Sequence, residues 1–382
     1  MIKYLSRIGK GRLKGTAVVA LDFNTEDEWR MLATLPTVRF LIKNKVKVLI
    51  LSHLGRPAAI KIKEGRPVGK DSKLSLRGKA ADLGKFLKKK VQFIPHFKFR
   101  EIKELIDKSK PGTVFVLENF RFLKGEYYND LKLAKQIAGV GDFYVNDAFP
   151  NSHRDDVSVD AITRFLPSYG GFQLEKELGR LSRVMKRAKG PLMIILGGGK
   201  ATDKLSLLDF FKNKADYFLL GGAAANTMFW LQGLDIGNSV ADKDHKEKFK
   251  KYLKYENVIL PYDCVIAGRR ILDVGSLTVK SYSKIIKKAK TVIWNGPMGL
   301  IEKSPYHKGT LGVAKAIALN RKCFSIAGGG ETVMFLKKHK LDKKFSFIST
   351  GGGAMLEFLA GKKLPGIEAL KDNLKLKSQN EK

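Results

Sequence analysis

The sequence predicts an α/β protein in two halves, each a series of β-α units around a parallel sheet. Three observations carry this. Short apolar runs alternate with longer amphipathic stretches along the chain, the pattern of repeated β-α units. The runs of the first half end in polar and charged residues, whereas those of the second half end in glycine. The chain has 382 residues, which suits two domains at roughly 100–200 residues each.

In the first half, Val18-Val19-Ala20-Leu21 leads into Asp22-Phe23-Asn24, and residues 46–51 lead into Ser52-His53-Leu54-Gly55-Arg56-Pro57. Residues 114–117 lead into Glu118-Asn119-Phe120-Arg121, and Phe143-Tyr144-Val145 leads into Asn146-Asp147, with His153-Arg154 close behind. In open α/β sheets ligands bind beyond the carboxyl ends of the strands. Those ends gather His53, Arg56, Arg121 and Arg154, four groups read as cationic. Guanidinium forks suit phosphate and carboxylate.

In the second half, residues 193–196 precede Gly197-Gly198-Gly199-Lys200, and residues 217–220 precede Gly221-Gly222. Residues 291–294 precede Asn295-Gly296-Pro297-Met298-Gly299, residues 324–327 precede Gly328-Gly329-Gly330, and residues 345–349 precede Thr350-Gly351-Gly352-Gly353. Glycine after a strand lets backbone approach a ligand, and the next helix offers free N–H groups to phosphate. One such turn is equally explained by tight packing; five in one half argue for a nucleotide site. It is not a P-loop, because Gly198-Gly199-Lys200 is followed by Ala201 and the upstream glycine is missing. No strand–GxGxxG unit is present either. Between the halves, residues 174–188 are rich in helix formers and flanked by Gly170-Gly171 and Gly190, a plausible hinge helix.

The charge is unusual: 72 Lys+Arg against 37 Asp+Glu, formally +35. Lysines are spread along the whole chain rather than concentrated in a nucleic-acid module, so a solvated basic surface is the preferred reading and specific nucleic-acid binding is not expected. Cys264 and Cys323 match no metal spacing and read as buried thiols in a reducing cytosol. Residues 1–16 lack the apolar core of a secretory signal, and no apolar run reaches the ~18 residues of a membrane span, so a cytoplasmic protein without membrane association is expected. His96, His245, His307 and His339 form no ligand cluster in sequence, and Trp29, Trp230 and Trp294 read as packing anchors.

Taken together, Leu21-Asp22-Phe23-Asn24, residues 52–57, residues 117–122 and residues 144–149 resemble phosphoglycerate kinases, in the family's order. So do residues 196–204, residues 292–299, Gly328-Gly329-Gly330-Glu331-Thr332 and residues 349–354. The resemblance runs from about residue 14 to Leu370. It implies two Rossmann-like domains with parallel sheets: residues 1–170 for 3-phosphoglycerate, a linking helix at 171–189, and residues 190–350 for nucleotide. A segment at 351–370 then returns to the first domain, and a polar tail, 371–382, is expected to fray.

By the same resemblance, Asp22, Asn24, Arg30, His53, Arg56, Arg121 and Arg154 hold phosphoglycerate. Gly198, Gly199, Lys200, Lys204, Gly222, Asn295, Pro297 and Glu302 meet ATP or ADP, with Gly330, Glu331 and Thr332 near the phosphates and Glu331 toward Mg²⁺. Arg30, Lys200, Lys204 and the N–H groups of Gly351, Gly352 and Gly353 serve the transferring phosphoryl. Activity as a monomer is implied. The chain departs from the family pattern at Glu331, where an aspartate is usual, at Ala20 for an arginine, in a shortened loop after Asn24, and at Pro150-Asn151-Ser152 and Asp155-Asp156 around His153-Arg154. These departures motivate one alternative, a catalytically impaired relative; the net charge motivates the other, a nucleic-acid binder.

Overall fold

The computed structural model describes residues 2–9, 11–25, 28–57, 61–63, 66–68 and 73–380. The chain divides into two units, Met1–Leu178 with Lys363–Lys382, and Gly179–Lys362.

The first unit is built on β1 (Thr16–Ala20), β2 (Lys47–Leu51), β5 (Val91–Ile94), β6 (Val114–Leu117), β7 (Phe143–Asn146) and β8 (Ser168–Gly170), with a small hairpin of β3 (Lys61–Lys63) and β4 (Arg66–Val68). Its six-stranded sheet has the order β5-β6-β2-β1-β7-β8, with every pairing parallel. The helices are α1 (Trp29–Lys43), α2 (Arg77–Leu87), α3 (Phe99–Asp107), α4 (Lys124–Tyr127), α5 (Leu131–Ala138) and the start of α6 (Phe172–Arg187).

The second unit repeats the plan with β9 (Leu192–Leu196), β10 (Tyr217–Leu220), β11 (Val258–Ile259), β14 (Thr291–Asn295), β15 (Phe324–Gly328) and β16 (Phe347–Ile348), in the order β11-β10-β9-β14-β15-β16. These pairings are also parallel. A hairpin of β12 (Cys264–Ala267) and β13 (Arg270–Val274) stands apart from the sheet. The helices here are the rest of α6, α7 (Leu205–Phe211), α8 (Gly222–Leu231), α9 (Lys246–Lys250), α10 (Ser276–Lys288), α11 (Lys308–Leu319), α12 (Gly330–Lys338) and α13 (Gly353–Leu359). Among the described residues no helix is long and apolar enough to cross a membrane.

The central strands are buried along their whole length, as in β1, β9 and β14. A parallel sheet covered on both faces demands such runs of Val, Ile and Leu. In the first unit Ala17, Val19, Val48, Ile50, Val114 and Val145 pack against Met31, Leu35, Val38 and Leu83. In the second, Met193, Ile195, Val292 and Trp294 pack against Tyr282, Ile286, Val313 and Leu336. Each sheet has a point where the order of strands reverses, between β1 and β7 and between β9 and β14. The crevice beyond the strand ends at such a point is the general ligand position of this architecture.

The chain rejoins the first unit at Lys363, later than the 351 read from the sequence, so the turn at 351–353 belongs to the second unit. The polar stretch from Lys371 continues α14 (Pro365–Asn380). Ile367 and Leu370 are buried there, and the Asn373 amide donates to the carbonyls of Thr163 and Leu166 and accepts from Ser168 N–H.

Candidate functional site

In the first unit the loops after β1, β2, β6 and β7 carry Asp22, Asn24, His53, Arg56, Arg121 and Arg154, and Arg30 lies in the first turn of α1. Asp22 is 2% exposed. Its carboxylate accepts from Arg30 Nη1 at 2.6 Å and from the Asn24 N–H at 2.8 Å. The Asn24 side-chain carbonyl accepts from Gly55 N–H at 2.8 Å, and the Gly55 carbonyl accepts from Arg121 Nη1 at 3.0 Å. Gly55 has φ +64°, a backbone state that favours glycine. It thus links the Asp22 loop to Arg121 through its own peptide groups.

Three buried nitrogens of this network have no hydrogen-bond partner among the described residues: Arg30 Nε, His53 Nε2 and Arg121 Nε. Most buried polar atoms are satisfied, and guanidinium N–H groups pair most strongly with anionic oxygen. Three such atoms together suit a ligand rich in anionic oxygens.

His53 corrects the expectation of four cations. Burial, reinforced by the Arg121 guanidinium, pushes its imidazole down to about 3, against the opposing pull of Asp22. It is therefore neutral near pH 7 and acts as a hydrogen-bonding group. Arg121 is itself buried, which lowers its pKa, with Arg154 adding repulsion; its Nη2 lies 3.9 Å from the Asp156 carboxylate. Arg56 is exposed.

Sequence reasoning missed Glu126 here. It is buried, and its carboxyl accepts from the Ser158 N–H and hydroxyl. Burial, with Asp156 nearby, pushes it up to about 8. A lone Glu in a polar stretch gives no sign of this.

In the second unit three glycine turns interlock. Gly197 N–H donates to Asn295 O, Gly198 N–H to Pro297 O at 2.7 Å, Gly222 N–H to Met298 O, and Ala223 N–H to Gly198 O. A Cβ on Gly197 would lie 2.1 Å from Pro297 O; one on Gly296 would lie 2.2 Å from Gly197 O; one on Gly222 would lie 2.7 Å from Gly198 O. At these positions glycine serves contact between backbones, which differs from the ligand approach read from the sequence. Gly199 and Gly330 are different: a Cβ there meets nothing within 4 Å, leaving room for a ligand.

Beside this interlock, at the strand-order reversal between β9 and β14, lies a cavity of about 190 Å³. Gly198, Gly199, Gly222, Pro297, Glu302 and Glu331 line it. Lys200, Lys204, Asn295, Gly330 and Thr332 do not. Lys204 is 7% exposed, and burial lowers its pKa against the attraction of Asp203, Glu331 and Asp242. The Thr332 hydroxyl accepts from Gly296 N–H at 3.0 Å, so it fixes the turn. Asn295 is buried with Nδ2 unpartnered among the described residues. Gly351 N–H donates to Ser349 Oγ at 3.2 Å, so this amide is already engaged within its own turn and does not stand free as expected.

The far wall was missed. Phe229, Leu300 and, from the β12–β13 hairpin, Cys264 and residues 270–274 complete the cavity. Its signal was legible as two short apolar runs around Gly268-Arg269, a hairpin pattern. Asp273 accepts from Gly309 and Val274 N–H, and burial pushes it up to about 6. Cys264 and Cys323 are free thiols raised to about 11 by burial. Trp294 is fully buried, its indole N–H donating to Gly296 O. Among the described residues no group of three or more His, Cys, Asp or Glu could hold a metal. Glu331 stands exposed on the cavity wall.

A family model described as phosphoglycerate kinase matches residues 17–362. A phosphoglycerate kinase of Pseudothermotoga lettingae is 38% identical over 382 aligned residues, covering 94% of each chain. The solved phosphoglycerate kinase of Pyrococcus horikoshii OT3 is similar with a TM-score of 0.86 at 29% identity, over 98% of this chain and all of that one. The one from Coxiella burnetii has a TM-score of 0.80 at 31% identity, over 97% and 99%.

Proposed function

The chain belongs to the phosphoglycerate kinase family, and we propose that its two units divide the reaction, the first holding 3-phosphoglycerate and the second ATP or ADP. The reaction is reversible phosphoryl transfer between ATP and the carboxylate of 3-phosphoglycerate. The reading of an impaired relative and that of a nucleic-acid binder gain no support from the comparisons.

The observation that carries the division is the network Asp22–Arg30 and Asn24–Gly55–Arg121, with three buried nitrogens left to meet an anion. The acceptor carboxylate is ionised at neutral pH, since carboxyl pKa values lie near ~4. No general base is required. The difficulty is electrostatic, because anionic phosphates must approach an anionic acceptor in line, and such transfer depends on positioning and charge neutralisation. Arg30, fixed by Asp22, presents a guanidinium to the acceptor. Lys204 and Lys200 carry the positive charge on the nucleotide side. Neutral His53 and Arg121 orient the phosphoglycerate. Glu331, with the nucleotide phosphates, would hold Mg²⁺, which when bound neutralises phosphate charge.

Two substrates held by two units must be united away from water, so domain closure about α6 gates each turnover. We place the enzyme in the cytoplasm as a monomer, on the family expectation alone.

The test is ATP formation from 1,3-bisphosphoglycerate and ADP in a coupled assay, with Mg²⁺ titrated. Metal-dependent turnover saturable in both substrates is expected. A purified, folded protein that binds ADP yet forms no ATP at any Mg²⁺ concentration would overturn the assignment.

A further inference from the structure

At the opposite end of the second sheet from the glycine turns, where β9, β14 and β15 begin, a second cavity opens. Its volume is about 450 Å³, within the roughly 300–1,000 Å³ usual for small-molecule sites. Arg183 and Arg187 from the last turns of α6 line it, together with Lys189, Lys290 and Lys322 from the segments leading into the three strands. Among the described residues no aspartate or glutamate lines it. At Gly190 a Cβ would lie 3.5 Å from Asp216 Oδ2; that carboxylate already accepts from Leu192 N–H at 2.6 Å.

None of the five cations makes an ion pair among the described residues. A basic chain produces many lysine-bearing surfaces, but a cavity of similar size elsewhere in this unit has Lys212 beside Glu256 in its lining. Arg187 closes α6, Lys290 follows the C-cap of α10 and Lys322 lies just past that of α11, so the field of helix ends favours cations here; it does not by itself account for five cations sharing one concavity with no acid in its lining among the described residues.

The frame is also fixed. Thr291 Oγ1 donates to the Lys189 carbonyl at 2.9 Å, and Phe324 N–H donates to the Lys290 carbonyl at 2.9 Å, so backbone bonds join the three lysine-bearing segments. The Arg183 guanidinium lies over the Phe324 ring, 5.0 Å from its centroid. An arginine resting on an aromatic face keeps its N–H edges for a ligand.

We propose that this cavity is a second anion site, separate from the substrate sites, and that it takes a small multivalent phosphate of the polyphosphate class. Five like charges around one concavity repel one another, and a compact polyanion relieves that repulsion while accepting charge-assisted hydrogen bonds.

The probe is inorganic tripolyphosphate, titrated calorimetrically into the whole enzyme with ADP and 3-phosphoglycerate in excess to fill the substrate sites. Saturable binding near one equivalent is expected. Arg183→Gln with Lys322→Gln should weaken it about tenfold or more, two charge-assisted contacts being lost, and should leave kcat unchanged. A control removing the same charge elsewhere, Lys212→Gln with Lys248→Gln, should bind as the parent does. Equal weakening in both double variants would reduce the effect to net charge and overturn the site. Binding of an RNA oligonucleotide that depends on Arg183 and Lys322, with no tripolyphosphate binding, would overturn it in favour of a nucleic-acid surface.

Discussion

Around Gly55 in the first unit, side chains do the holding: Asn24 and Arg121 grip its peptide groups, and Asp22 grips Arg30. Around Gly197, Gly198 and Gly222 in the second unit, backbone does most of it: three turns bond to one another through their own N–H and C=O groups, Cβ atoms at Gly197, Gly222 and Gly296 are excluded by contacts of 2.1 to 2.7 Å, and side chains enter only where Trp294 and Thr332 hold Gly296. The two units share a sheet plan yet prepare a ligand position by opposite means. In the first, a substitution removes a side chain of the proposed substrate site. In the second, a substitution at an interlocked glycine removes the scaffold before any ligand is met.

The largest effect should come from the charges that bear on transfer. Arg30→Ala and Lys204→Ala should each lower kcat/KM by several kcal/mol of transition-state stabilisation, on the order of 10³-fold or more. Near-parental kcat in either variant would break the division of roles. Arg30→Ala also leaves the buried Asp22 carboxylate without its cation, so some loss of stability accompanies it.

Next comes the scaffold. Gly296→Ala, at φ +90° and facing Gly197 O, should destabilise the protein by about 3 kcal/mol, read in urea unfolding. Gly199→Ala, which faces open space, should change stability by no more than ~0.5 kcal/mol and instead weaken nucleotide binding. The same outcome for both would erase the distinction between interlocked and ligand-facing glycines.

A pH-dependent effect lies in the buried carboxyl of the first unit. Glu126 keeps its proton to about pH 8 in the fold, against an ordinary value of 4.5. As pH rises from 4.5 to 8 the unfolded chain releases that proton and the native one retains it, so native stability falls across this window. The slope from one proton is at most ~1.4 kcal/mol per pH unit. Glu126→Gln should therefore gain stability over the parent as pH rises through it. A difference that stays constant with pH would remove Glu126 from the account. The smallest expected change is at Glu331: Glu331→Gln should raise the Mg²⁺ concentration for half-maximal activity a few-fold, and Glu331→Asp should not.

Much of this was legible in the sequence, because parallel sheets demand apolar runs and strand ends mark ligand positions. The Asp22, His53 and Arg121 loops and the five glycine turns all follow strands where expected. What escaped reading depends on distant neighbours. The charge state of His53 is set by burial and by Arg121, 68 residues further along the chain. The reason for Gly197 is Pro297, and the reason for the buried Glu126 is Ser158. Local pattern names the residue types, and only tertiary contact assigns what each does. The far wall of the cavity beside the glycine turns was missed for a simpler reason, since the β12–β13 hairpin carries no glycine cluster.

The crossing of the chain back to its first unit has a consequence for synthesis. Asn373 closes a set of bonds to Thr163, Leu166 and Ser168, yet everything from Gly179 to Lys362 is translated before it. The first unit, begun earlier, therefore waits for its last helix until the whole of the second has been made.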